Sequence, residues 1–177
     1  MKLATLTGTR RGETDRLLAS AVAQLRQEGV RMLGAVRAGA PAHPDEQCES
    51  TLLLLPEGPE IRITQDLGSG SAACRMDAGA LEEAVGVATA RLASEEVDLV
   101  ILNKFGLSEA EGRGFRAFIA DALARDIPVV LGLSETHRAA FDDFAGGMAT
   151  RLQPDAAAIL DWCRAALDRA SVAEPVE

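Results

Sequence analysis

The chain has 177 residues, 27 acidic and 18 basic, for a formal net charge of −9, and hydrophobic residues make up 47% of it. That length and composition suit one globular domain with a sizeable core. A negative field repels phosphate backbones and anionic lipid heads, and five Phe, one Trp and no Tyr give no stacking platform, so general nucleic-acid and membrane-surface roles are disfavoured.

Residues 2–6 read as a short buried strand ending at Thr7-Gly8. A helix is expected from about Thr14 to Glu28, with Leu17, Leu18, Ala21, Val22 and Leu25 on one stripe, Thr14 or Asp15 as cap and Gly29 as stop. Residues 30–37 form the next strand, which makes a βαβ opening. Ala38 to Ser50 is loop-like. Thr51–Leu55 and Glu60–Thr64 flank Pro56-Glu57-Gly58-Pro59 and read as a hairpin. Gln65 to Met76 is a polar, Gly/Ser-rich loop. A helix capped by Asp77 runs to about Ala93, with Leu81, Ala84, Val85, Ala88 and Leu92 inward.

Val97–Leu102 is continuous and apolar, as a central parallel strand should be. Ser108 to Glu111 has capping-box spacing, with Ser108 as cap, and opens a helix carrying Phe115, Phe118, Ile119, Ala122 and Leu123. Ile127–Leu131 is a further buried strand. A helix from about Glu135 stops at Gly146-Gly147, and Met148–Leu152 reads as a short edge strand. The last helix starts at Asp155 and turns Ile159, Trp162, Cys163, Ala166 and Leu167 inward, which leaves 171–177 as a flexible tail after a single domain over 1–170. Alternating strands and helices predict an α/β fold, three-layer and doubly wound around a mainly parallel sheet. Ligands then belong beyond the carboxyl ends of the strands, at Thr7–Thr14, Asn103–Glu111 and Gly132–Thr136.

Thr7 to Thr14 lies where a phosphate-binding loop belongs. Thr7 takes the first Gly position, Gly12 the second, Glu13 the Lys position and Thr14 the hydroxyl position. The helix N-terminus still offers backbone N–H donors, and Arg10 and Arg11 add cations. Lost are the small residue at the first position and the cation, which an acid replaces. After the central strand come Asn103 and Lys104, where a nucleotide hydrolase needs a carboxylate for its Mg²⁺. Charged Lys104 does not ligate Mg²⁺, and the amide of Asn103 is a weak substitute. Were the two strands neighbours, Glu13 and Lys104 would face each other across the site. Lys104 would then supply phosphate-binding charge, or the pair would be a structural ion pair.

The other chemistry-bearing residues have plain structural readings. Cys48, Cys74 and His43 lack any C-x-x-C unit, so no metal site is assigned. Asp66 and Arg75 read as a loop salt bridge, Cys163 and Trp162 as core, Phe141 and Phe144 as core, and Arg113 and Arg116 as a solvated helix face. His137 has no evident nucleophile to serve. The N-terminus lacks a secretory h-region, no apolar run approaches the ~20 residues of a bilayer span, and three widely spaced cysteines suit reduced thiols, so a cytoplasmic protein without membrane insertion is expected.

The degraded phosphate loop, the hairpin, the helix and the run Asp98 to Gly106 resemble small bacterial and archaeal P-loop nucleoside triphosphatases with an acidic segment after the central strand. Gly106 and Glu109 match that segment, whereas Asn103 and Lys104 fall on its catalytic acids. Gln65–Gly68, Asn103–Gly106 and Glu109–Arg116 also resemble a bacterial domain-of-unknown-function family encoded beside molybdate-transport genes. The resemblance implies a P-loop-like fold with an inserted hairpin and a link to molybdenum, and its partners would be molybdate-transport proteins or molybdoenzymes. The leading expectation is a binder of a small anionic ligand, a nucleotide or an oxyanion such as molybdate, with weak or no hydrolysis. Gly8, Thr9, Arg10, Arg11, Gly12, Glu13 and Thr14 would form the site with Asn103 and Lys104. Two alternatives stand beside it. One is an active nucleoside triphosphatase in which Glu109 or Asp66 serves a nucleotide with Mg²⁺. The other is an interaction protein in molybdenum uptake or cofactor handling.

Overall fold

The computed structural model describes residues 2–39, 50–65 and 75–171. In chain order the elements are β1 (Leu3–Leu6), α1 (Glu13–Gln27), β2 (Met32–Arg37), β3 (Thr51–Leu54), β4 (Glu60–Arg62), β5 (Thr64–Gln65) and β6 (Arg75–Met76). They continue with α2 (Ala78–Ser94), β7 (Leu99–Phe105), α3 (Leu107–Ala110), α4 (Arg116–Ala124), β8 (Val129–Leu133), a 3-10 turn (Glu135–His137), α5 (Arg138–Ala145), β9 (Thr150–Leu152) and α6 (Ala156–Ser171).

One sheet has the order β4-β3-β2-β7-β8-β1-β9. Strands β2, β7, β8, β1 and β9 are parallel, and the β3–β4 hairpin adds antiparallel to the β2 edge. The central strands are apolar on both sides because both sides are covered. Leu18, Ala21, Val22 and Leu25 of α1 and Ile159 and Cys163 of α6 pack on Leu6, Ile101 and Val130. On the other face, α2, α4 and α5 bring Leu81, Ala88, Phe118, Ile119 and Phe141 onto Val100, Leu102 and Leu131. The fold is therefore a three-layer, doubly wound α/β fold with a mainly parallel sheet. Strand β1 feeds a helix on one face and β8 a helix on the other, so the topological switch point lies between these neighbours. Their carboxyl ends open the crevice where such folds bind ligands.

Several local expectations are corrected. Helix α1 begins one residue early, and its N-cap is Gly12, left-handed at φ 70°, rather than Thr14 or Asp15. The Thr14 hydroxyl instead accepts a hydrogen bond from the Gly8 N–H at 2.8 Å. Strand β7 continues past Leu102, so Asn103 and Lys104 lie on the strand end and not in a loop. Phe105 holds it there: after an irregularity in the ladder it pairs with Leu133, and its ring, fully buried, meets Phe141 edge-on at 5.2 Å.

The helix expected after Ser108 is two helices. Gly112 and Gly114, at φ 85° and 57°, turn the chain between them. The capping geometry sits two residues earlier than the spacing suggested, with Glu109 reaching back to the Gly106 N–H at 2.9 Å. Arg116 is half-buried, not solvated, with its guanidinium 4.7 Å from the centroid of the Phe144 ring. Helix α6 runs to Ser171. His43, Cys48, Asp66, Cys74 and the tail over 172–177 lie outside the described residues. No helix among the described residues is long and apolar enough to cross a membrane.

Candidate functional site

The first loop forms because β1 ends buried and Gly12 supplies the left-handed residue that turns the chain into α1. Inside it the donors converge. The Thr9 N–H and hydroxyl reach Glu13 Oε2 at 2.6 and 3.0 Å, and the Arg10 N–H reaches the same oxygen at 3.1 Å. Glu13 thus folds back over its own loop, and the carboxylate sits where the backbone N–H groups would meet a bound oxyanion. These bonds, the Thr9 hydroxyl first, and the nearby Arg10 charge hold the Glu13 carboxyl below its ordinary value of 4.5. Gly8 is tightly enclosed, since a Cβ there would stand 2.9 Å from Glu13 Cβ and from the Thr14 N and Oγ1. Arg10 and Arg11 are exposed.

The switch point itself is bridged. Thr7 donates its hydroxyl proton to the Leu133 carbonyl at 3.0 Å and accepts from Arg138 Nη2 at 3.2 Å. Arg138 is held from the other side by a bidentate pair with Glu135, at 2.5 and 2.7 Å, which raises its pKa further and lowers that of Glu135. Sequence reasoning missed Arg138. Its signal was position alone, since it begins the helix that follows a strand flanking the loop. Among the described residues, Arg138 Nη1 and Asn103 Oδ1 are the buried side-chain polar atoms without a hydrogen-bond partner. Both lie at the carboxyl edge of β7 and β8. An unmet buried polar atom costs about 1–3 kcal/mol, so this edge holds unused hydrogen-bonding capacity.

Gly132 of β8 connects the two loops. A Cβ there would press into the Asn103 carbonyl oxygen and stand 2.6 Å from Thr14 Cγ2, so the start of α1 and the end of β7 close in over one glycine. The proposed face-to-face placement of Glu13 and Lys104 does not hold, because β8 separates β1 from β7 and Glu13 is engaged in its own loop. Lys104 is exposed and forms no ion pair among the described residues. Glu109 is 5% exposed, and its two oxygens accept from the Gly106 and Phe115 N–H groups at 2.9 and 3.0 Å. It braces the turn between α3 and α4.

These donors do not fit Mg²⁺. The strand end carries an amide and an amine, and the Glu109 carboxylate is committed to backbone N–H groups. No group of three or more His, Cys, Asp or Glu placed to hold a metal occurs among the described residues. On the α2 side of the sheet, a cleft of about 280 Å³ opens beside the ends of β2 and β7. Ala35, Leu52, Leu81 and Leu102 form part of its walls, and its polar members include Asn103, Lys104, Ser108, Glu109, Ser134 and His137.

The chain is 38% identical, over 152 residues, to the "Molybdenum import ATP-binding protein ModC 2" of Bradyrhizobium diazoefficiens. The match covers 86% of this chain and 17% of that protein. The "Solution Structure of a Human Cancer-Related Nucleoside Triphosphatase" superposes with a TM-score of 0.63 over 99% of this chain and 100% of that one, at 12% identity. The likeness is one of fold, and it agrees with the doubly wound, mainly parallel sheet described above. Residues 3–162 match the family described as "Protein of unknown function (DUF2478)", and the chain belongs to that family.

Proposed function

We propose that the chain is a P-loop-like binding protein that takes a nucleotide or an oxyanion at the Thr7–Thr14 loop, with little or no hydrolysis. The observation that carries this reading is the convergence of the Thr9 N–H, Thr9 hydroxyl and Arg10 N–H on one carboxylate oxygen. A loop that wraps a carboxylate in this way is built to hold an oxyanion. Gly8 and Gly12 allow the close approach, and Thr14, Arg10 and Arg11 surround it. Arg138 contributes from the start of the helix that follows β8. The name of the Bradyrhizobium relative, a molybdenum import ATP-binding protein, supports ATP and molybdate as the first ligands to try. Molybdate is a tetrahedral dianion, so the donors that suit phosphate suit it.

Low hydrolysis follows from charge. The position that would carry a cation to the phosphates carries Glu13, and the described carboxylates nearest the strand ends are engaged.

The test is a thermal-shift titration with ATP, GTP, phosphate, molybdate and tungstate, with and without Mg²⁺, beside a phosphate-release assay. Ligand at ~100 times its dissociation constant stabilises by about 2.7 kcal/mol, or roughly 5–10 °C for a chain of this size. The expected result is a shift with one ligand class, reduced in Arg138→Ala and Arg10→Ala, with no appreciable phosphate release. No shift with any of the five ligands would sink the proposal. Mg²⁺-dependent turnover lost in Glu109→Gln or Asp66→Asn would instead establish an active nucleoside triphosphatase.

A further inference from the structure

We infer that the cleft between the carboxyl ends of β2 and β7 and the start of α3 is a second binding site, for a small organic anion with a ring-shaped apolar body. It is separate from the first loop, since none of residues 7–14 lines it. Its volume of about 280 Å³ lies at the lower edge of ligand pockets, ~300–1,000 Å³, and so fits a single ring system better than a whole nucleotide or a peptide.

The apolar part of the inference rests on the walls and the mouth. Ala35, Leu52, Ile63, Leu81, Leu102 and Phe115 supply the walls. Three large hydrophobic residues are exposed among the described residues, and two of them, Met76 at 38% and Leu107 at 54%, belong to this lining. Apolar surface left in water at the mouth of an apolar cleft gains most when a ligand covers it.

The anionic part rests on Lys104. The chain has two lysines. Lys2 is paired with Asp126 at 2.7 Å, whereas Lys104 is exposed, lines the cleft and forms no ion pair among the described residues. The one carboxylate in the lining, Glu109, is occupied by the Gly106 and Phe115 N–H groups. The other polar groups, on Asn103, Ser108, Ser134 and His137, can hydrogen-bond a ligand's acceptor oxygens. A carboxylate on the ring would therefore sit against Lys104 while the ring fills the apolar end.

The probe is 2-naphthoate, followed by amide chemical shifts of the ¹⁵N-labelled protein, with neutral 2-naphthol as the uncharged match. The expected result is saturable shifts at Ala35, Leu52, Leu102 and Leu107. Naphthoate should bind about three- to fivefold more tightly than naphthol, the worth of one partly exposed charge pair. Lys104→Met should remove that difference and leave naphthol binding as it was. Leu107→Trp, at an exposed position that keeps the fold intact, should narrow the mouth and weaken both. Saturating inorganic phosphate should not displace naphthoate; displacement would merge the two sites and overturn the inference. It is also overturned if those amides do not shift, or if naphthoate and naphthol bind equally to the wild type. Shifts that grow with protein concentration in the absence of probe would assign the same surface to self-association instead.

Discussion

Glu13 occupies the loop's donors and thereby competes with any anion that would use them. Its carboxyl is held below 4.5, so the bonds it makes are present at neutral pH and are lost as pH falls through that lowered value. Two consequences can be measured with sulfate, which stays a tetrahedral dianion across the range. In the wild type, sulfate affinity stays nearly level from pH 7 to about 4.5 and rises only as pH falls further, through the lowered pKa of Glu13, because protonated Glu13 releases Thr9 and Arg10. In Glu13→Gln the affinity is higher at pH 7 and this gain on acidification is much smaller. Equal pH dependence in the two proteins would show that Glu13 is not the competitor. The same substitution should lower the melting temperature modestly, since an amide oxygen accepts less strongly than a carboxylate. The loop's position was legible in the sequence from the Gly12-Glu13-Thr14 spacing. The direction of the Glu13 side chain was not, because a reach of three and four residues back to Arg10 and Thr9 depends on backbone angles that no spacing encodes. Arg138 was invisible for a related reason: it touches Thr7 from 131 positions away, and only the adjacency of β1 and β8 brings them together.

Gly132 shows how elements rather than single residues make the site. It lies on a central strand with no space for a side chain on the face that α1 covers. Gly132→Ala would force a methyl group against the Asn103 carbonyl, and neither β7 nor α1 can retreat without losing its packing. The expected cost is about 1–3 kcal/mol, a drop of roughly 2–12 °C in melting temperature, with anion affinity falling at the same time because Thr14 is displaced. An unchanged melting temperature by calorimetry would mean that the strands part more easily than this packing implies. At this scale most of the fold was readable. Apolar runs marked β7 and β8, helical stripes marked α1, α2 and α6, and Asp77 capped α2 as expected, accepting from the Ala80 N–H at 3.0 Å. The failures cluster where tertiary contact overrides local pattern. Burial of Phe105 drew β7 past Leu102, and two left-handed glycines broke the helix that the Phe and Ile periodicity suggested. The sheet order also could not be read, because β8 enters between β1 and β7 after both have been made.

The composition of the whole molecule makes one buried group unusually easy to observe. The chain carries sixteen arginines, two lysines, three cysteines and no tyrosine. Arginine does not titrate in the accessible range, so few groups besides the thiols change charge between pH 8 and 10. Cys163 is fully buried between α6 and the sheet, and burial pushes its thiol up to about 12 from an ordinary value of 9.0. Above pH 9 the unfolded chain therefore loses this proton while the folded chain keeps it. The unfolded state then binds fewer protons, and stability must fall as pH rises. Between pH 8 and 10 this one group should remove roughly 1–1.5 kcal/mol from the unfolding free energy. Cys163→Ala abolishes the term. Its lost packing is a constant offset, and the titration of Cys48 and Cys74 is common to both proteins, so the difference in slope isolates position 163. Urea denaturation at pH 7, 8, 9 and 10 should show the wild type losing stability more steeply than the variant above pH 8.5. Native Cys163 should meanwhile resist alkylation by iodoacetamide at pH 9. Parallel slopes, or rapid alkylation of the folded protein, would mean that α6 opens locally and lets the thiol ionise in place. That would put the α1–α6 layer, rather than the loops, among the first parts of the fold to yield.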